Sequence, residues 1–398
     1  MKKCILITLV LFSSTLIAQT WEKLSNAPIG RHHPISFSID GKGYAITGTL
    51  SNGQPTAAAY EYNPVADSWR AIGDFPGAAR SFGIGAVANG KAYIGFGATT
   101  QYYLKDFWSF DPRDSTWTRL ADCACSGRRH PAMIAIGDRI YVGLGDDATG
   151  NLKDWWMYDI NSNSWTQTAD LPGPVRHHPY MFNAGGEVFA GLGHGGNFIY
   201  RDWYKLDTAA NTWTAMKDFP GQGRVAGTQF SYNGYGFVLS GDGNNHSYMN
   251  EGEMWRYDPS NDSWRQFPSH PEKSRWAPGS FIIDNNVYYF GGLNRYFQNY
   301  PNDMWKFDVS DTTTGIFEKK LALENTYVFP NPASDFVSWK NDASITEVKV
   351  YSTLGQLMLK TTANTKGVNT EGLSNGLYLV HFYAESTLLK SSKLLISR

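Results

Sequence analysis

Cysteine is scarce: three in 398 residues, one of them, Cys4, at the extreme N-terminus. Charge is thin as well, with 18% Asp, Glu, Lys and Arg against a typical quarter, and a formal net charge of −1. No basic run, phosphate-binding glycine loop or basic amphipathic stretch is present, which argues against nucleic acid as a partner. Beyond the first 18 residues no segment is apolar enough to span a bilayer. No Ser/His/Asp, paired-carboxylate or phosphate-loop signature stands out, so the common hydrolytic and phosphoryl-transfer chemistries find no support.

What the chain does have is a period. Arg31, Arg80, Arg128, Arg176, Arg224 and Arg275 recur at steps of 49, 48, 48, 48 and 51 residues, each followed 17 positions later by a glycine, from Gly48 to Gly292. Nine residues after each arginine stands a two-residue turn such as Asp40-Gly41 or Asn89-Gly90, flanked by apolar runs. Asp, Asn and Gly tolerate the positive φ that tight hairpins need, so arginine opens a first strand and the glycine closes a second. A third strand carries Tyr60, Trp108, Trp156, Tyr204, Trp255 or Trp305, with Asn63, Asp111, Asp159, Asp207, Asp258 or Asp308 three residues on. Nine positions past the first five aromatics lie Trp69, Trp117, Trp165, Trp213 and Trp264, in short alternating runs that predict a fourth strand. Six such units predict a ring of four-stranded blades.

This pattern of glycine, aromatic-plus-Asp and tryptophan resembles the kelch repeat from Trp21 to about Val309. Only Gly291-Gly292 keeps the family's usual glycine pair; Thr47-Gly48, Phe96-Gly97, Leu144-Gly145, Leu192-Gly193 and Ser240-Gly241 depart from it. The expected fold is all-β: a six-bladed kelch β-propeller over residues 19–309, then a small immunoglobulin-like β-sandwich. The sixth copy lacks a fourth-strand tryptophan, while an unpaired Trp21 stands ten residues before Arg31, where other copies show eleven. Residues 21–24 are therefore expected to supply the last blade's outer strand and close the ring.

Residues 1–18 read as a secretory signal peptide, with a lysine pair, an apolar run and a small residue before Gln19. Cys4 precedes the apolar run, so it does not read as a lipoprotein cysteine. After a polar linker at 310–326, residues 327–398 resemble the type IX secretion (type A) sorting domain. The matching stretches are Val328-Phe-Pro-Asn-Pro332, Val350-Tyr-Ser-Thr-Leu-Gly-Gln356, Leu373-Ser-Asn-Gly-Leu-Tyr-Leu-Val380 and Lys393-Leu-Leu-Ile396. The resemblance implies docking to the outer-membrane secretion machinery, frequent later removal, and a secreted or cell-surface protein; the plainer alternative is an extra surface-binding sandwich. Cys123 and Cys125 share one loop, and an oxidising compartment favours a local disulfide over free thiols or a metal clip.

In a propeller the first strands line the axial channel, so the segments opening at Arg31, Arg80, Arg128, Arg176, Arg224 and Arg275 are expected at its mouth. Arginines there can face an anionic ligand, as the resemblance to kelch substrate adaptors implies. Alternatively they pair with Asp106, Asp154, Asp202, Glu253 and Asp303 and pin blades together; Ala58 breaks that series in blade one. Two residues after the arginine, His33, His130 and His178 share one repeat position, with His32 and His177 beside them and Asp146, Asp147, His194 and Asp242 in following loops. Such a rim can hold a divalent metal, stack on sugars with Trp276, or hydrogen-bond a solvated channel.

A galactose-oxidase-like copper site needs a cysteine on a channel strand, and none is there. Gly191-Leu-Gly193 and Trp203-Tyr-Lys-Leu-Asp207 are similar to the N-acetylneuraminate epimerase family, but Asp242 and Tyr248 replace its glutamate and arginine. The expectation is a glycan, acidic-sugar or protein-binding module without a cofactor, with a sugar mutarotase-like or metal-dependent enzyme as the alternative.

Overall fold

The computed structural model describes residues 20–310, 327–339, 345–353, 356–362, 367–384 and 387–398. The leader read at 1–18, and the linker read at 310–326 beyond Ser310, lie outside the described residues. Among those described, regular structure is all strand apart from a one-turn 3₁₀ segment, Asn244–His246. No described helix is long and apolar enough to cross a membrane. The chain divides into two compact units.

The first unit holds six four-stranded antiparallel sheets. Sheet one runs Ile35–Ile39, Lys42–Ile46, Ala58–Asn63, Ser68–Asp74, and the same meander restarts at Ile84–Ala88, Ala132–Ile136, Tyr180–Ala184, Thr228–Tyr232 and Gly279–Ile283. The first hairpin turns on Asp40 and Gly41, both at positive φ (49° and 69°), as a two-residue type I′ turn requires. Sheet six takes its fourth strand from the start of the chain: Glu22–Leu24 lies antiparallel to Met304–Asp308, with Leu24 opposite Met304.

Three repeated contacts stitch neighbouring sheets together. The indoles of Trp165 and Trp213 donate to the carbonyls of Ala121 and Ala169, 2.9 and 3.0 Å away, and Trp21 donates to Pro268 at 3.3 Å. Each acceptor sits four residues past the preceding sheet's tryptophan, so Trp21 fills the place that Trp165 and Trp213 fill in their own sheets. Backbone N–H groups of Ser25, Ala121, Ala169 and Lys217 donate to turn carboxylates or amides at Asp67, Asn163, Asn211 and Asp262.

The third contact explains the arginine–glycine period. The N–H groups of Gly48, Gly97, Gly145, Gly193 and Gly241 donate to the backbone carbonyls of Arg80, Arg128, Arg176, Arg224 and Arg275, and Gly292 donates to Arg31, all within 2.8–3.1 Å. These glycines have φ between 76° and 105°, and a Cβ on Gly97 would lie 2.4 Å from the Ser81 carbonyl oxygen. Only glycine fits.

Burial follows the same order. Six apolar clusters each join consecutive sheets; one unites Ile35, Ile46 and Phe75 with Ile94 and Phe110, and another returns from Phe281, Ile283 and Phe290 of sheet six to Ala45 and Tyr62 of sheet one. Large rings fill them, with Trp155 and Trp203 fully buried. Truncating either would cost about 3–5 kcal/mol.

The second unit has a three-stranded sheet (Val328–Phe329, Phe336–Trp339, Val368–Asn369) and a four-stranded one (Glu347–Ser352, Leu357–Thr362, Gly376–Ala384, Thr387–Ile396). Both contribute to one core, with Val337 and Trp339 packed among Val348, Val350, Val380, Phe382, Leu394 and Ile396.

Candidate functional site

The six arginines that open the repeats are all buried: Arg31 is 2% exposed, the rest fully enclosed. Arg80 donates through Nη1 and Nη2 to the two oxygens of Asp106 (both 2.7 Å) and through Nη1 to the Phe96 carbonyl. Arg128–Asp154, Arg176–Asp202 and Arg275–Asp303 repeat this fork, and Arg224 reaches Glu253 through Nη2 alone. The same acids accept from the third-strand aromatic, as Trp108 Nε1 does to Asp106 at 2.8 Å. Pairing is therefore the arginine side chain's role, and it holds first and third strands of one sheet rather than pinning two blades. Each guanidinium is buried, and none of the six arginines is among the residues that line the cavity described below. In sheet one, where Ala58 replaces the acid, Arg31 donates to the Thr47 and Ala58 carbonyls at 2.6 and 3.0 Å, and burial lowers its pKa to about 10.

The residue after each arginine bridges to the loop following the second strand: His32 to Thr49, Ser81 to Ala98, Arg129 to Asp146, His177 to His194, Val225 to Asp242 and Trp276 to Leu293. The next residue turns left-handed in every sheet, with φ of 52° at His33, 65° at Phe82, 52° at His130, 51° at His178, 53° at Ala226 and 49° at Ala277. Their backbones hydrogen-bond in sequence, Ala277 to Ala226, His33 to Ala277, His130 to Phe82 and His178 to His130. Below them a cavity of about 380 Å³ is lined by the first strands of all six sheets.

This turn gathers imidazoles. His33 Nε2 lies 2.9 Å from His178 Nε2, and its Nδ1 lies 2.6 Å from His32 Nδ1. The His130 and His178 rings are 3.6 Å apart, His177 and His194 3.8 Å, His194 and His246 4.4 Å. His130 Nδ1 meets Asp146 Oδ1 at 2.9 Å, and Asp146 also accepts from Arg129. Burial keeps these rings neutral: His32 and His194 are lowered to about 4 and His177 to about 3, while His33 and His178 fall well below the ordinary histidine value. Burial alone would raise Asp146; its hydrogen bonds from His130 and Arg129 outweigh that and hold it low.

Trp276 closes one side, its ring 4.5 Å from His33 and 5.0 Å from the Arg295 guanidinium. Arg295 Nε in turn lies 2.8 Å from Asp242, a fully enclosed carboxylate that burial raises to about 6 against the pull of Arg295. Of the expected set, His33, His130, His178 and Trp276 converge; Asp242 joins through Arg295.

Residues 327–397 match the secretion system C-terminal sorting domain. No curated protein matches the chain. The sorting domain makes this a secreted or outer-surface protein that interacts with the type IX machinery. Two of its sequence motifs touch: the Asn331 side chain donates to the Lys393 carbonyl and accepts from the Leu395 N–H, both at 2.8 Å. Ahead of the sorting domain, Cys123 and Cys125 are bonded to each other.

Arg295 and Asn151, which accepts from His177 Nδ1 at 2.6 Å, were not legible as site residues, because the loops after the second strands start in register with the arginines but share no residue at these positions. Arg129 carried a signal: it occupies the bridging position held elsewhere by His32, His177 and Trp276.

Proposed function

We propose that the six sheets are the blades of a kelch-type propeller, closed by the strand after Trp21, and that this exported unit binds a glycan on the face built by the six bridging pairs. The glycine-to-arginine hydrogen bonds and the six intersheet clusters support the closed ring. One observation carries the ligand class. The loops that begin at the bridging residues expose large aromatic rings, Tyr102 (67%), Phe198 (71%), Tyr248 (39%), Tyr296 (51%) and Phe297 (64%), around a floor of neutral imidazoles and Trp276. Flat rings stack on the apolar C–H faces of sugars, and imidazole nitrogens meet hydroxyls. Two cations on this face, Arg129 and Arg295, already have carboxylate partners, while Lys273 lies over the Tyr248 and Tyr296 rings, so an acidic group on the ligand is accommodated but not required.

Glycan-array screening of the full-length chain tests this. Retention of a defined glycan set, weakened at least tenfold by Phe198→Ala or Trp276→Ala, is the expected result; no retention of any glycan removes the reading. A second reading, proton transfer on a sugar by an isomerase-like site, draws on Asp242, which burial raises to about 6 and which a sugar would reach only if the Arg295 side chain moved aside. Anomer exchange of free sugars followed by NMR should then accelerate with the native chain and stop with Asp242→Asn.

A further inference from the structure

We propose that His33, His130 and His178 together bind one borderline divalent transition ion, of which zinc is the reference case, at the ring of left-handed residues above the cavity. One ring nitrogen from each lies within 4.8 Å of those of the other two. Three imidazoles around zinc at about 2.1 Å hold their nitrogens about 3.4 Å apart, so small side-chain rotations complete the set. His33 Nε2 and His178 Nε2 already face each other at 2.9 Å.

Tautomers support the same assignment. Ionised Asp146 can only accept, so His130 donates to it through Nδ1–H, and the lone pair is left on Nε2. That Nε2 is buried and has no hydrogen-bond partner among the described residues. A carboxylate behind a ligating imidazole fixes the ring and strengthens it as a donor, and here Arg129 holds that carboxylate in place at 2.6 and 3.0 Å.

The fold alone does not call for imidazole at these positions. Phe82, Ala226 and Ala277 occupy the equivalent places in the other three sheets with the same left-handed backbone. Neutral nitrogen donors without a coordinating carboxylate select zinc, copper or nickel over magnesium or calcium, which need oxygen cages. Three protein ligands leave a coordination position for water or a ligand group. A neighbouring set, His177, His178 and His194, shares His178, so the test must separate the two.

The proposal does not depend on the glycan reading, and its probe is the metal itself. Full-length chain prepared without a polyhistidine tag is stripped with chelator, dialysed against zinc in excess magnesium and calcium, and assayed by elemental analysis and calorimetry. One zinc per chain is expected. Asp146→Asn should weaken binding by roughly 10–100-fold, and His33→Phe and His178→Ala by more. His194→Ala should leave it unchanged. Phe and Ala are residues the chain itself carries at the repeat position of His33 and His178, and unchanged melting of the metal-free variants checks the fold. Loaded with copper, the native chain should show imidazole nitrogen couplings in its EPR spectrum that His33→Phe reduces. Substoichiometric zinc in the native chain overturns the proposal. So does native affinity in His33→Phe, or loss in His194→Ala with retention in His33→Phe, which would put the ion on the neighbouring set.

Discussion

Arg80 and Arg31 hold equivalent places in adjoining sheets and are satisfied differently. Arg80 grips both oxygens of Asp106, whereas Arg31, with Ala58 in the acid's place, relies on two backbone carbonyls and is the arginine whose pKa burial pulls down. Carbonyl oxygens alone therefore hold a buried guanidinium without fully offsetting the cost of burying its charge. What a carboxylate adds is a second anchoring point, taken up by the indole of the third strand.

The sharpest way to break this contrast is Asp106→Ala, which leaves an enclosed guanidinium without its acid. A loss of about 3–5 kcal/mol is expected in chemical unfolding, while the paired change Arg80→Met with Asp106→Leu recovers most of it. If the single change costs nothing, the carbonyl of Phe96 suffices and sheet one is not special.

Next comes an enclosed group with no partner. His270 is fully buried among Trp21, Tyr289 and Trp305, neither ring nitrogen is hydrogen-bonded among the described residues, and burial lowers it to about 3. Its folded value lies below its unfolded value, so its contribution is intact above about pH 6.5 and shrinks as pH falls. By pH 4 the loss reaches about 3 kcal/mol. His270→Phe should move the acid-unfolding midpoint downward; an unmoved midpoint would mean the ring is not buried as described.

Asp242 has the opposite sign. Raised to about 6, it favours the fold while protonated and withdraws up to about 3 kcal/mol as pH rises from 4 past 6. Asp242→Asn should flatten the pH dependence of the melting temperature across that window, with a smaller net change at pH 7.5 because the Arg295 pair is lost as well.

The smallest effect sharpens the opening contrast. Ala58→Asp gives Arg31 the acid its counterparts have, and should raise stability by about 1 kcal/mol. A drop instead would show that sheet one has repacked around its missing carboxylate.

Much of the architecture was legible because the signals are local and repeated. Turn chemistry such as Asp40-Gly41 marked the hairpins, and the spacing of Trp21 from Arg31 matched it to the copies that have a fourth-strand tryptophan. The acid partners of the arginines were visible as residues two before each third-strand aromatic. Side-chain direction was not. Arg128 pairs with Asp154 of its own sheet and the chain turns left-handed at His130 two residues on, and neither histidine nor alanine announces positive φ the way glycine does. The imidazoles of His33, His130 and His178 line the cavity as expected residues of the site, while the arginines two residues before them are buried. Arg295 was invisible for another reason: the six loops start in register but repeat no residue at its position.

The pairing of Glu22–Leu24 with Met304–Asp308 has a kinetic consequence. One edge of sheet six waits for a segment from the opposite end of the unit, so the outermost contact is also the one with the greatest chain separation and the largest loop to close. Until the two segments meet, sheet six has three strands where the other five have four. A polypeptide cut short before Met304 would lack the strand on which Glu22–Leu24 pairs, and sheet six would be left as a single hairpin.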